Sequence, residues 1–254
     1  MSELRVYLSI TQIGMHLLLL SKLFRTRLFR RYQYFGWYVA FELFRLSVVS
    51  FVRLQSKTYA HFYFATQPIL WVLFVLVLLE LFQLVLGNHR GIEKLGRKAL
   101  TWSLAGSTVV SGLTLLVELQ QTASDSVLLY NFMLLERLVM TSLLVLILCL
   151  ITFLSVFPVP LSRNLRTHAS VFAVYFAVKT SMLWIRTIFG LQPAAMLNIV
   201  GQVLALGCLV AWTILLTPAG ETVPPPSGPK SGSEARLLAQ LDALNETLLG
   251  SARK

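Results

Sequence analysis

Apolar runs of about twenty residues recur along the chain with short polar gaps between them, and within the runs apolar and polar residues do not alternate. A helix that crosses hydrocarbon needs about 20 mostly apolar residues at roughly 1.5 Å rise each. Seven windows meet that requirement: Val6 to Phe24, Tyr34 to Val52, His61 to Leu86, Leu100 to Leu119, Leu128 to Phe157, Ser170 to Phe189 and Ala195 to Thr217. Backbone in lipid must pair internally, so each window is either a helix or part of a closed barrel. Barrel strands alternate apolar and polar residues, which leaves helices. The pattern therefore predicts an all-α, polytopic bundle of seven transmembrane helices over residues 1–217.

Beyond the last window the pattern changes. Residues 218–232 are expected to form an extended linker, since Thr222 to Ser233 reads TVPPPSGPKSGS, a Pro/Gly/Ser run. Ser231 and Glu234 then fit a capping box, opening a short amphipathic helix over 233–250. Leu237, Leu241, Leu244 and Leu248 draw one narrow stripe along it, with Gly250 as a stop. Two heptads are too few for a stable isolated coiled coil, so this stripe predicts a helical protein partner, a second copy of the chain, or the membrane surface.

Charge sets the orientation. Lys22, Arg25, Arg27, Arg30 and Arg31 fill the first gap, Arg90, Lys94, Arg97 and Lys98 the third, and Arg163 and Arg166 the fifth; Lys230, Arg236, Arg253 and Lys254 lie in the tail. The second gap holds only Arg53 and Lys57, and the fourth and sixth none. Short cytoplasmic loops collect Lys and Arg, so the N-terminus is expected outside and the C-terminus in the cytoplasm of a cell (inner or plasma) membrane. Only 13% of residues are charged, against about 25% in ordinary soluble domains. The net charge of +11 is divided among several loops and forms no single basic stripe, which argues for anionic lipid headgroups and against nucleic acid. Positive charge crowds the end of the first apolar run and no small-residue cleavage site is visible, so that run is expected to remain as a helix. Cys149 and Cys208 fall inside predicted spans, and His16, His61, His89 and His168 are scattered; no disulfide, metal site or cofactor is expected.

Charge at membrane depth costs on the order of 2.5–3.5 kcal/mol per residue, so polar residues inside the windows are the candidates for function. Glu42 and Arg45 are three apart on one face of the second window; Glu80 ends an apolar run in the third. Counting helical rise puts Glu42 and Glu80 about 10–13 Å from the cytoplasmic edge, which predicts an inner cluster of Glu42, Arg45 and Glu80. An outer cluster is expected from Glu136 and Arg137 in the fifth window, Lys179 and Arg186 in the sixth, and Asn198 and Gln202 in the seventh, with Glu136 and Lys179 at similar depth. Two readings of these residues stay open: salt-bridged staples within the bundle, or the lining of a polar cavity. The intramembrane Lys179 does not indicate retinal, since it lies in the sixth window and no window holds an Asp counter-ion.

Three short motifs carry a resemblance: RRYQYFGWYVAFELF from Arg30 to Phe44, LLELF from Leu78 to Phe82 and LLERL from Leu134 to Leu138. With them the chain resembles a group of uncharacterised bacterial seven-helix integral membrane proteins of similar length. That resemblance implies a fold and no assigned activity. More distantly, an outside N-terminus, seven spans and a cytoplasmic Leu-striped helix look like the membrane-sensor modules of bacterial receptors. The expected function is a non-enzymatic sensor or scaffold that couples the bundle to a cytoplasmic partner; the alternative is a small-solute, ion or proton carrier through the charged interior. An enzyme is not expected, because no nucleophile pattern, phosphate-binding loop or His/Cys/Asp cluster is visible.

Overall fold

The computed structural model describes residues 2–51, 57–86, 127–156, 161–189 and 194–222. Among these are helices α1 (Ser2–Arg25), α2 (Gln33–Phe51), α3 (Lys57–Leu86), α4 (Val127–Val156), α5 (Arg163–Phe189) and α6 (Ala194–Leu215). Two 3-10 turns, η1 (Leu28–Arg30) and η2 (Pro218–Glu221), follow α1 and α6. The described residues contain no strand. Five helices hold stretches long and apolar enough to cross a membrane: Tyr7–Arg25, His61–Val85, Phe132–Ser155, Arg163–Phe189 and Met196–Leu215. These five make the chain compatible with a multi-pass membrane protein. The predicted fourth window Leu100 to Leu119, the amphipathic helix 233–250 and its stripe Leu237, Leu241, Leu244 and Leu248 lie outside the described residues.

Helix α4 corresponds to the fifth window, α5 to the sixth and α6 to the seventh, and most boundaries fall within a turn of expectation. The sixth window is the exception. Helix α5 begins at Arg163, seven residues before Ser170, so Arg163 and Arg166 belong to its first turns and not to a loop. Ser162 explains the early start: its Oγ accepts the Leu165 backbone N–H at 3.3 Å, satisfying one of the donors that a helix N-terminus leaves open. The added turns are amphipathic, burying Asn164, Leu165, His168 and Ala169 and exposing Arg163 and Arg166. A window scored for uniform apolarity misses such a turn. Thr217, expected as the last residue of the seventh window, instead caps η2 by accepting the Gly220 N–H at 3.2 Å.

The helices close a ring in which α1 packs on α2, α2 on α3, α3 on α4, α4 on α5, α5 on α6 and α6 back on α1; α3 also touches α5. Side-chain contacts give the directions. Helices α1 and α6 run the same way, since Gln12 Nε2 donates to the Gln202 carbonyl at 2.8 Å and, further along both, Lys22 Nζ donates to the Thr213 carbonyl at 2.5 Å. The first halves of α3 and α4 lie side by side: Phe64 meets Phe132 edge-on at 4.7 Å and Gln67 reaches Glu136.

Aromatic rings fill the centre. Phe35 lies 5.0 Å from Trp212 and 6.0 Å from Phe172, and Phe74 lies 5.0 Å from Tyr38 and 5.3 Å from Phe176. All but Tyr38 are almost fully shielded. Helices in lipid gain little from hiding apolar surface, so interlocked rings supply the close van der Waals packing that association there depends on. The outer surface is the reverse of a soluble protein's: Ile10, Leu18, Val72, Val174, Ile214 and Met196 are each more than half exposed. An apolar belt that extends around a bundle has no place in water and suits hydrocarbon.

Candidate functional site

Arg45 is the centre of the buried polar network. Its Nε and Nη2 donate to the two carboxylate oxygens of Glu42 at 2.7 and 2.9 Å, one turn back on α2. Its Nη1 donates to Gln67 Oε1 on α3 at 2.7 Å. The same Gln67 donates through Nε2 to Glu136 Oε1 on α4 at 3.0 Å, and Glu136 Oε2 accepts the Tyr63 hydroxyl at 3.1 Å. Glu42, Gln67 and Glu136 are each less than a tenth exposed. The result is a continuous chain of hydrogen bonds, Glu42 to Arg45 to Gln67 to Glu136 to Tyr63, that ties three helices together. His16 Nδ1 donates to the Gln12 carbonyl at 2.8 Å.

This arrangement regroups the residues singled out in the sequence. Glu42 and Arg45 pair directly, as their spacing implies. Glu80 does not join them. Its carboxylate oxygens accept the backbone N–H groups of Tyr34 and Phe35 at 3.1 and 3.2 Å, in the first turn of α2. The first donors of a helix have no intrahelical acceptor, and a carboxylate is favoured there both as partner and by the helix dipole. Glu42 is about 12 Å farther along α2, so counting residues from separate window edges overstated how level the two carboxylates are.

The members of the outer cluster are dispersed. Glu136 turns to Gln67 and Tyr63, and among the described residues the ion pairs are Glu42 with Arg45 and Arg31 with Glu221, so Glu136 and Lys179 form none. Arg137 lies with its guanidinium 4.4 Å from the ring centre of Trp184 on α5, a cation–π contact. Asn198 is exposed on α6. Arg186 Nε and Gln202 Oε1 are buried without a hydrogen-bond partner, as is Thr180 Oγ1.

A second polar site closes the opposite end of the bundle, and the sequence reading did not anticipate it. Asn164 is fully buried and pairs with both backbone groups of Thr217: its Nδ2 donates to the carbonyl at 2.7 Å and its Oδ1 accepts the N–H at 3.2 Å. Nδ2 also donates to Glu221, which accepts the Tyr32 hydroxyl at 2.8 Å and pairs with Arg31 at 2.6 Å. A Cβ on Gly220 would collide with the Asn164 side chain, so only glycine fits that turn. Directly above, His168 is wholly buried with neither ring nitrogen hydrogen-bonded, packed 4.5 Å from Phe35 and 4.6 Å from Tyr32. The signals available in sequence were slight: a Ser-Arg-Asn in the gap before the sixth window and a single Glu after the last one.

No metal-binding group of three or more His, Cys, Asp or Glu exists among the described residues. No protein-family model, no curated protein and no solved structure matches the chain.

Two predictions test these sites. Replacing Arg45 alone by Met strands the Glu42 carboxylate and is expected to destabilise the bundle by about 3–5 kcal/mol, whereas Glu42→Leu combined with Arg45→Met recovers much of that loss. Reversible unfolding in mixed micelles reads the difference; equal losses for the single and double variants would remove the pair from the account. At the other end, burial first and then the Glu221 carboxylate raise the Tyr32 hydroxyl above its ordinary value of 10.0. The folded protein therefore keeps a proton that the unfolded chain releases, so this contribution to stability is intact below about pH 10 and is lost above it. Tyr32→Phe should flatten that alkaline decline in a pH series of melting temperatures and lower stability at neutral pH by about 1.5–3 kcal/mol.

Proposed function

We propose that the protein is a non-enzymatic sensor or scaffold of the cell membrane, with seven crossings, its N-terminus outside and its C-terminus in the cytoplasm, coupling the state of the bundle to a cytoplasmic partner. The observation that carries this reading is the closed character of the central network. Arg45, Gln67 and Glu136 spend their polar atoms on one another across three helices, which suits an element held in one of two packings better than an open path. The Leu-striped segment 233–250 supplies the partner-binding end in this reading.

A carrier is the second reading, favoured by the unpartnered buried atoms of Thr180, Arg186 and Gln202 on the adjoining helices α5 and α6. Such atoms suit a polar solute or ion as a missing partner.

One comparison separates the two. Deleting Ser231 to Lys254 should leave the bundle folded and end cross-linking to the cytoplasmic partner, while reconstituted vesicles show no solute or proton flux. Flux that survives the deletion and disappears in Lys179→Ala would replace the sensor reading by the carrier.

A further inference from the structure

The basic residues of the first gap are not equivalent. Lys22 is committed to the Thr213 carbonyl and Arg31 to Glu221. Arg27 and Arg30 are exposed, and the side chain of neither enters a hydrogen bond or ion pair among the described residues. Together with Phe24 and Phe29 they line a cleft of about 500 Å³ at the end of the α1 span.

The cleft is built, not incidental. Phe24 and Phe29 stack at 4.5 Å, Trp37 meets Phe29 edge-on at 6.1 Å, and Phe29 presses so closely on α2 that a Cβ at position 36 would collide with its ring. Gly36 thus seats the aromatic wall. Arg27 adopts the left-handed conformation, with φ 58°, which a residue with a side chain takes at a cost and which directs the chain into η1. Phe24 and Trp37 are more than half exposed, continuous with the apolar flank of Leu17 and Leu18 on α1. Guanidinium groups fit phosphate oxygens, and aromatic rings favour the boundary between headgroup and acyl chain.

We propose that this cleft is a binding site for one anionic phospholipid, its phosphate held by Arg27 and Arg30 and its acyl chain lying along Phe24, Trp37 and Leu17. The occupant is a lipid and not free phosphate because one wall of the cleft is apolar and opens onto the flank of a membrane-length helix. The inference rests on the reading that the bundle crosses a bilayer, and recovery of the protein in an aqueous fraction without detergent would overturn that reading by itself.

The test uses the full-length protein in nanodiscs of phosphatidylcholine doped with phosphatidylglycerol, with lipid retention measured by native mass spectrometry. Arg27→Gly is the decisive variant, since glycine relieves the left-handed strain while removing the charge. It should fold at least as well as the parent and retain phosphatidylglycerol about fivefold less, with about 25-fold loss when Arg30→Ala is added. Arg163→Ala, at an exposed arginine outside the cleft, should change retention little. Equal loss from all three arginines would mean diffuse headgroup attraction and overturn the site. So would displacement of the lipid by millimolar inorganic phosphate, or unchanged retention in Arg27→Gly.

Discussion

A guanidinium held within the bundle is costly without acceptors, and the placement of Arg45 organises the middle of this molecule. Two of its nitrogens are satisfied by Glu42 on its own helix, which the one-turn spacing makes almost automatic. The third must look across the bundle, and it finds Gln67. Because an amide both accepts and donates, Gln67 passes the connection to Glu136, whose remaining oxygen takes the Tyr63 hydroxyl. One demand for hydrogen bonds in a dry environment thereby fixes the rotation of α2, α3 and α4 relative to one another. Leucines and valines on these helices do not do that alone, since apolar side chains pack against lipid nearly as well as against each other.

The same rule operates at helix ends. Glu80 serves the open donors of α2, Asn164 serves both backbone groups of Thr217, and Glu221 gathers Tyr32, Arg31 and Asn164 where α2, α5 and η2 meet. Between these polar anchors the interior is aromatic, with His168 held among Tyr32, Phe35 and Trp212. The bundle is pinned by hydrogen bonds at mid-depth and at one end, and filled by interlocking rings in between.

Helix content was legible in the sequence because hydrocarbon thickness imposes a length on each apolar run. The described helices follow the predicted windows closely, except where Ser162 starts α5 two turns early with an amphipathic segment. The Glu42–Arg45 pair was legible for the same kind of reason, its spacing being local. What the chain did not disclose was which distant residues meet. Gln67 and Tyr63 are unremarkable residues in an apolar run, Asn164 and Glu221 sit at loop edges without periodicity, and Glu80 looks like an interior charge until the start of α2 is placed beside it. These are consequences of helix rotation and neighbour choice, quantities that hydropathy does not encode.

The most direct measurement is a double-mutant cycle between Arg45 and Glu136, which share no hydrogen bond and are linked by the two-sided amide of Gln67. Unfolding free energies of Arg45→Met, Glu136→Leu and the double variant should show coupling of at least about 0.5 kcal/mol, and that coupling should vanish in a Gln67→Leu background. Additive losses in the presence of Gln67, or coupling that persists after its removal, would contradict the network on which this structure is argued to depend.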